Sequence, residues 1–166
     1  CAPSAIRGWE TDMRDRPKVM MIWPYGIEGA ESIPMCMSFL CPQMNAAGID
    51  TYVLDCSLAK LHPNSIEFAI QLIQISPDII GISSWSQSWR WVGVTIDSIR
   101  ETLPGVLIIL GGPHVSATGD YGKADYALMG EAEYTFPLLA EKLLTGQDPE
   151  GIAGLRGPNV ITPASP

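Results

Sequence analysis

Positive charge, cysteine and long apolar runs are all scarce in this 166-residue chain, and each shortage removes a class of function. Ten Lys and Arg stand against eighteen Asp and Glu, a formal charge of −8. That is the wrong sign for sequence-independent attraction to phosphate backbones or anionic lipid, so neither nucleic acid nor a membrane surface is an expected partner. The longest apolar runs, Val19 to Trp23 and Val106 to Leu110, are strand-length and far short of the roughly 20 residues of a membrane span. Cys1, Cys36, Cys41 and Cys56 show no disulfide-framework spacing, and a domain of this size stabilises itself without one, which points to a reducing cytoplasm. Charged residues make up only 17% of the chain against about 25% in an average soluble domain, so part of the surface is expected to face a neighbouring domain. The opening Cys-Ala-Pro-Ser-Ala-Ile-Arg has neither an initiator Met nor the apolar core of a signal peptide, whereas Met13-Arg-Asp-Arg-Pro-Lys resembles an ordinary bacterial start. Residues 1–12 are expected to be a tag remnant or extension, and 1–17 to precede the folded unit.

What is abundant is an alternation of short β-branched runs with segments of helical period, the mark of a parallel sheet covered by helices. Five strands are predicted: Lys18 to Trp23, Thr51 to Leu54, Asp78 to Ser83, Val106 to Leu110 and Asp125 to Leu128. Their continuous apolar character predicts burial on both sheet faces. Four stripes at steps of three and four predict the helices between and after them. They are Ile33, Met37, Leu40, Cys41 and Met44; Ile66, Ala69, Ile70 and Ile73 behind a cap at Asn64 or Ser65; Val92, Thr95, Ile96, Ile99 and Leu103; and Ala132, Phe136, Leu139 and Leu143. Between Gly112 and Ala124 there is room for a turn or two of helix. From Gln147 onward the Pro- and Gly-rich sequence loses its period and reads as a linker over 147–166. Residues 18–146 then form one α/β domain, flavodoxin-like (Rossmann-like), with a five-stranded parallel sheet of order 2-1-3-4-5. Ligands in such folds sit beyond the carboxyl ends of the strands.

The loops at that edge select among doubly wound binding modes. A phosphoacceptor receiver needs paired acids after strand 1 and an Asp after strand 3, where Trp23-Pro24-Tyr25 and Ser84-Trp85 stand instead. Pro24-Tyr25-Gly26-Ile27-Glu28-Gly29-Ala30 lacks the Gly-x-Gly-x-x-Gly spacing of dinucleotide folds. Flavin mononucleotide favours a Ser/Thr-rich first loop, absent here, although Trp85 and Trp89 could flank a flavin. The third loop, Ser83-Ser84-Trp85-Ser86-Gln87-Ser88-Trp89-Arg90-Trp91, gathers three of five tryptophans and four serines. It suits a flat ligand with polar edges or, equally, packing beneath a neighbouring domain. Gly81, Gly111, Gly112 and Gly130 all fall at this edge, where a missing Cβ lets a ligand approach the backbone.

Gly111-Gly112-Pro113-His114-Val115, followed by Asp125-Tyr126-Ala127-Leu128-Met129-Gly130-Glu131-Ala132-Glu133-Tyr134-Thr135-Phe136, resembles the cobalamin (vitamin B12)-binding domain that precedes the barrel of cobalamin-dependent radical S-adenosylmethionine (SAM) enzymes. That family includes methyltransferases acting on unactivated carbon or phosphorus and the anaerobic magnesium-protoporphyrin IX monomethyl ester oxidative cyclase, so the domain alone does not name the reaction. The resemblance implies cobalamin with its nucleotide tail in a slot at the carboxyl edge and its corrin above. It implies Gly81, Ser83, Gly111 and Gly112 lining the slot, Pro113, His114, Gly130 and Glu131 closing it, and Ser57, Ser84 and Trp85 nearby.

Two departures refine it. Cobalamin domains of the methionine synthase type carry Asp-x-His-x-x-Gly after strand 2, the His ligating cobalt; here Asp55-Cys56-Ser57-Leu58-Ala59-Lys60 has Ser and Lys at the His and Gly positions. No histidine ligand is expected from that loop, and Trp85 or Trp89 is expected to cover that face of cobalt instead. Radical chemistry also needs Cys-x-x-x-Cys-x-x-Cys for a 4Fe-4S cluster, a spacing this chain lacks. The cluster and S-adenosylmethionine would belong to a missing radical SAM barrel of the same polypeptide, and this chain would be a non-catalytic domain, with Cys36 and Cys41 as buried thiols. His62 is expected to be a solvated loop residue. The rival readings are a freestanding module binding a partner protein or another planar cofactor, and a fold that has lost the vitamin.

Overall fold

The computed structural model describes residues 16–27 and 35–164. The expectations placed on residues 1–12, on Glu28, Gly29 and Ala30, and on Ile33 lie outside the described residues. In chain order the elements are β1 Lys18–Trp23, α1 Met35–Ala46, β2 Asp50–Asp55, α2 Ile66–Ile75, β3 Ile79–Ser83 and α3 Trp89–Thr102, the last entered through a 3-10 turn at Ser86–Ser88. They continue with β4 Leu107–Gly111, α4 Pro113–Thr118, β5 Tyr126–Leu128, α5 Thr135–Leu144, β6 Leu155–Gly157 and β7 Val160–Ile161.

The sheet runs β2-β1-β3-β4-β5-β6-β7. Its first five strands are parallel and in the expected order. Successive side chains on a strand point to opposite faces. Met20, Ile22, Ile80, Ile82, Ile108, Leu110 and Ala127 thus pack against Phe68 and Leu72 of α2, Val92, Ile96 and Ile99 of α3, and Val115 of α4. The alternate residues Val19, Met21, Trp23, Ile79, Ile109 and Leu128 meet Met37 and Met44 of α1 and Phe136, Leu139 and Ala140 of α5.

The described residues hold seven strands, where the sequence predicted five. The extra pair lies in the segment expected to be a linker: β6 pairs antiparallel with β5, Leu128 opposite Leu155, and β7 pairs antiparallel with β6. Ile152 and Leu155 are buried in the α1/α5 core. Strands of two and three residues have no period to detect, and two of the glycines that read as linker, Gly154 and Gly157, are required by close packing. A Cβ on Gly154 would overlap the Met129 carbonyl, and one on Gly157 would lie 2.6 Å from Tyr126.

A second difference concerns α2. Ser65 is its cap, Oγ accepting the Phe68 N–H at 3.2 Å, a usual stabilising contact at a helix start. Yet Phe68 and Leu72 enter the core while Ile66, Ile70 and Ile73 of the predicted stripe face outward. The helix is apolar nearly all round, and period alone does not say which side is covered.

Candidate functional site

The carboxyl edge is asymmetric because two strands lose their side chains on the α1/α5 side. Gly81 sits mid-strand between Met21 of β1 and Ile109 of β4. A Cβ there would lie 2.9 Å from Phe136 Cζ, so the ring of α5 closes directly on the sheet. Gly111 ends β4, and a Cβ on it would meet nothing nearer than the Leu128 carbonyl oxygen at 4.0 Å. Above these glycines opens a cavity of about 440 Å³, its walls made by Met21, Met37, Leu40, Ile109, Leu128 and Phe136 and its polar edge by Ser83, Ser116, Glu131, Glu133 and Cys36. That volume falls within the range of small-molecule sites, and an apolar lining with a few polar groups is their usual composition.

Of the residues singled out in the sequence, Gly81, Ser83, Trp85, Gly111, Gly112, Pro113, Gly130 and Glu131 line this slot. Ser57, Ser84 and His114 do not, and each has a different task. Ser84 is fully buried and staples two loops: its N–H and Oγ both donate to the Gly111 carbonyl at 2.7 Å, and its own carbonyl accepts the His114 N–H at 3.0 Å. Gly112 explains why glycine follows glycine there. Its φ is +98°, and a Cβ would lie 2.9 Å from both backbone N and O of Ser84. It is needed for the staple, and Gly111 for the open space. Gly130, at φ +83°, donates its N–H to Ser116 Oγ at 3.0 Å and so ties the loop after β5 to α4. His114 braces from behind: its ring stacks on Trp89 with centroids 4.1 Å apart, and its Nδ1 is 3.0 Å from Ser86 Oγ.

The three tryptophans of the third loop therefore do not form one platform. Trp85 lines the slot and stands edge-on to Trp23, centroids 6.1 Å apart. Trp89 is spent on His114, and Trp91 packs against Tyr25 and His62 at about 5 Å. Trp89 and Trp91, two apart on α3, point in divergent directions because each residue turns the helix by about 100°. His62 is no freely solvated residue either: Tyr25 and Trp91 flank its ring, and its Nδ1 accepts the Asn64 N–H at 3.1 Å.

The loop after β2 is a braced turn. Asp55 Oδ1 accepts the N–H groups of Ser57 and Leu58 at 3.1 and 2.9 Å, and Ser57 Oγ donates to the Ile27 carbonyl at 2.7 Å. Lys60 holds φ at +50°, a left-handed conformation that favours glycine. Ser57 is thus a loop brace, and no side chain of this turn projects a nitrogen base into the slot.

The described thiols are all free. Cys56 is buried, and burial, followed by the neighbouring Asp55 charge, pushes its pKa up to about 12. Cys36 and Cys41 were expected to be core residues; Cys36 is exposed and lines the slot, and Cys41 is half-buried. Partial burial raises both pKa values, with the Glu131 charge adding to the effect at Cys36. Among the described residues no group of three or more His, Cys, Asp or Glu is arranged to hold a metal ion. No helix there is long and apolar enough to cross a membrane.

Sequence reasoning missed Met21, Met37, Cys36, Ser116, Glu133 and Phe136 as slot residues. Met37 and Phe136 were legible as core positions, and only the glycines opposite them turn that core wall into a slot wall.

A doubly wound sheet with a glycine-lined slot at its carboxyl edge defines a small-molecule-binding domain of the flavodoxin-like class. More particularly, residues 29–140 match the B12 binding domain family, and the chain belongs to it. Over 88 residues it is 32% identical to an uncharacterized methyltransferase of Pyrococcus horikoshii, covering 49% of this chain and 19% of that protein. The same fold occurs in OxsB, a cobalamin-dependent S-adenosylmethionine radical enzyme solved with aqua-cobalamin and S-adenosylmethionine bound. There the TM-score is 0.78 at 16% identity, over 92% of this chain and 23% of that one. It occurs also in TsrM of Kitasatospora setae, a radical S-adenosylmethionine methyltransferase solved with cobalamin and a 4Fe-4S cluster bound, at TM-score 0.70 and 18% identity, over 91% and 30%. The chain thus spans between about a fifth and a third of the length of these relatives.

Proposed function

We propose that this chain is the cobalamin-binding domain of a larger cytoplasmic radical SAM enzyme, a methyltransferase or an oxidative cyclase, and that it holds the cofactor without a protein histidine on cobalt. The observation that carries the reading is Gly111, whose absent side chain opens onto the slot and is not demanded by any neighbour within the fold. Gly111 would let the nucleotide tail lie against bare backbone, with Met37, Leu128 and the Phe136 ring seated on Gly81 as apolar walls. Ser83, Ser116 and Glu131 would supply acceptors for its sugar hydroxyls, and Trp85 would lie under the corrin. Cobalamin, when bound, supplies a cobalt centre that accepts and delivers a methyl group or changes oxidation state.

The chain's own contribution is a preformed shape. Ser84 locks the β3 and β4 loops together, His114 and Trp89 stiffen them from behind, and the Ser116 contact to Gly130 fixes the third side. Each bond that is already made in the free domain reduces the ordering required on binding. The turn after β2 would offer cobalt no nitrogen base, Ser57 being engaged with the Ile27 carbonyl at 2.7 Å. The 4Fe-4S cluster and S-adenosylmethionine would be held by a barrel in the same polypeptide, in keeping with the share of OxsB and TsrM that this chain spans.

Electron paramagnetic resonance of the bound cobalt(II) form tests the histidine-free site. The expected spectrum is the same for unlabelled and 15N-labelled protein. A nitrogen splitting that changes from triplets to doublets on labelling the protein would show a protein ligand and overturn the proposal.

A further inference from the structure

Trp23 closes β1 at the switch point of the sheet, between β2 and β3. It is 7% exposed, and its Nε1 is fully buried with no hydrogen-bond partner. A buried indole N–H without an acceptor is unusual, because the group has lost its water and gained nothing in return. Trp23 belongs to the buried cluster that also holds Met21, Ile27 and Met37, and apolar packing of that kind makes no use of an N–H donor. The neighbouring ring is Trp85, which lines the slot and is 38% exposed on a loop. Trp23 therefore stands one ring contact away from the slot.

We infer that Trp23 is a cofactor-positioning residue, its Nε1–H reserved for a carbonyl oxygen on the edge of the corrin. The inference rests on the cobalamin reading and goes beyond it by dividing the ligand between two groups of residues. Gly111 and its neighbours take the nucleotide tail, and Trp23 takes the corrin periphery. The corrin carries amide side chains whose carbonyls are acceptors, and Trp85, the ring beside Trp23, lines the slot. Until ligand arrives, the donor is left unmatched; once it arrives, a hydrogen bond in a dry site forms without reorganising the strand that carries it.

The test uses hydroxocobalamin and cobinamide, a corrinoid lacking the nucleotide tail, each titrated into the 166-residue chain and its Trp23→Phe variant. The substitution is expected to weaken both by about tenfold, which is about 1.4 kcal/mol. A loss confined to hydroxocobalamin, or unchanged binding of both, overturns the assignment. Because Trp→Phe also removes volume, the unaltered protein labelled with 15N at its indoles supplies a second readout. The Trp23 N–H proton resonance, identified by its loss in the variant, is expected to move downfield on adding either diamagnetic cobalt(III) corrinoid. A resonance that stays in place overturns the inference. If the unaltered chain takes up neither corrinoid, the cobalamin reading itself fails; unchanged affinity in the variant beside binding by the unaltered chain fails the Trp23 inference alone.

Discussion

The two faces of the sheet are built from the same strands and do different work. On the side covered by α2, α3 and α4, every central strand position carries a side chain: Met20, Ile22, Ile80, Ile82, Ile108 and Leu110 fill the layer to the carboxyl edge. On the side covered by α1 and α5 the corresponding register begins with Val19, Ile79 and Leu107 and then reaches Gly81 and Gly111, so the layer empties toward the same edge. The first face supplies stability through burial, at about 25 cal/mol per Å² of apolar surface removed from water. The second gives up part of that burial to make a slot. A site of this kind needs no special loop chemistry; two missing side chains on adjacent strands, under helices that still pack farther down, are sufficient.

The comparison can be broken first at Gly111. Leucine there extends into the slot, its Cβ meeting nothing nearer than the Leu128 carbonyl oxygen at 4.0 Å, so affinity for cobalamin is expected to fall by at least about 100-fold, or about 2.7 kcal/mol, with the melting temperature moved by only a few degrees. Isothermal titration with hydroxocobalamin and a thermal melt of the same samples check both halves. The adjacent glycine should behave oppositely. Gly112→Ala places a Cβ against Ser84 backbone at a left-handed φ and is expected to destabilise the fold by about 2 kcal/mol, read from urea unfolding. The smallest effect is expected at the other end of the edge. Lys60 is exposed and held at φ +50°, so Lys60→Gly should stabilise the domain by about 0.5–1 kcal/mol and leave corrinoid affinity unchanged. Loss of affinity there would mean that the turn after β2 takes part in binding.

Much of this was legible from residue order. The five parallel strands and their order follow from continuous apolar runs separated by helical stripes, because a parallel sheet buried on both faces leaves little else to write in the strands. Gly81, Gly111 and Gly112 were legible on the slot as small residues at strand ends, whereas Pro113, Gly130 and Glu131 were reached through the family resemblance and also line it. What stayed hidden was direction and pairing. Trp85, Trp89 and Trp91 read as one aromatic surface, yet a 3-10 turn and a helix start send them to three different neighbours. Gly111 and Gly112 read as equivalent, and only the distance to Ser84 separates the residue that makes room from the one that permits a close approach. The two short antiparallel strands were missed because Ile152, Leu155 and Val160 are too sparse to show a period, although the first two anchor that segment in the core.

The central claim is that the α1/α5 side of this domain retains cobalamin by itself. The direct measurement is an anaerobic incubation of the 166-residue chain with excess hydroxocobalamin, followed by desalting and an absorbance spectrum of the protein fraction. The account predicts about one corrin per chain in the unaltered protein and none in Gly111→Leu. Protein that emerges folded by circular dichroism yet free of corrin, or a Gly111→Leu variant that carries as much corrin as the unaltered chain, would contradict it.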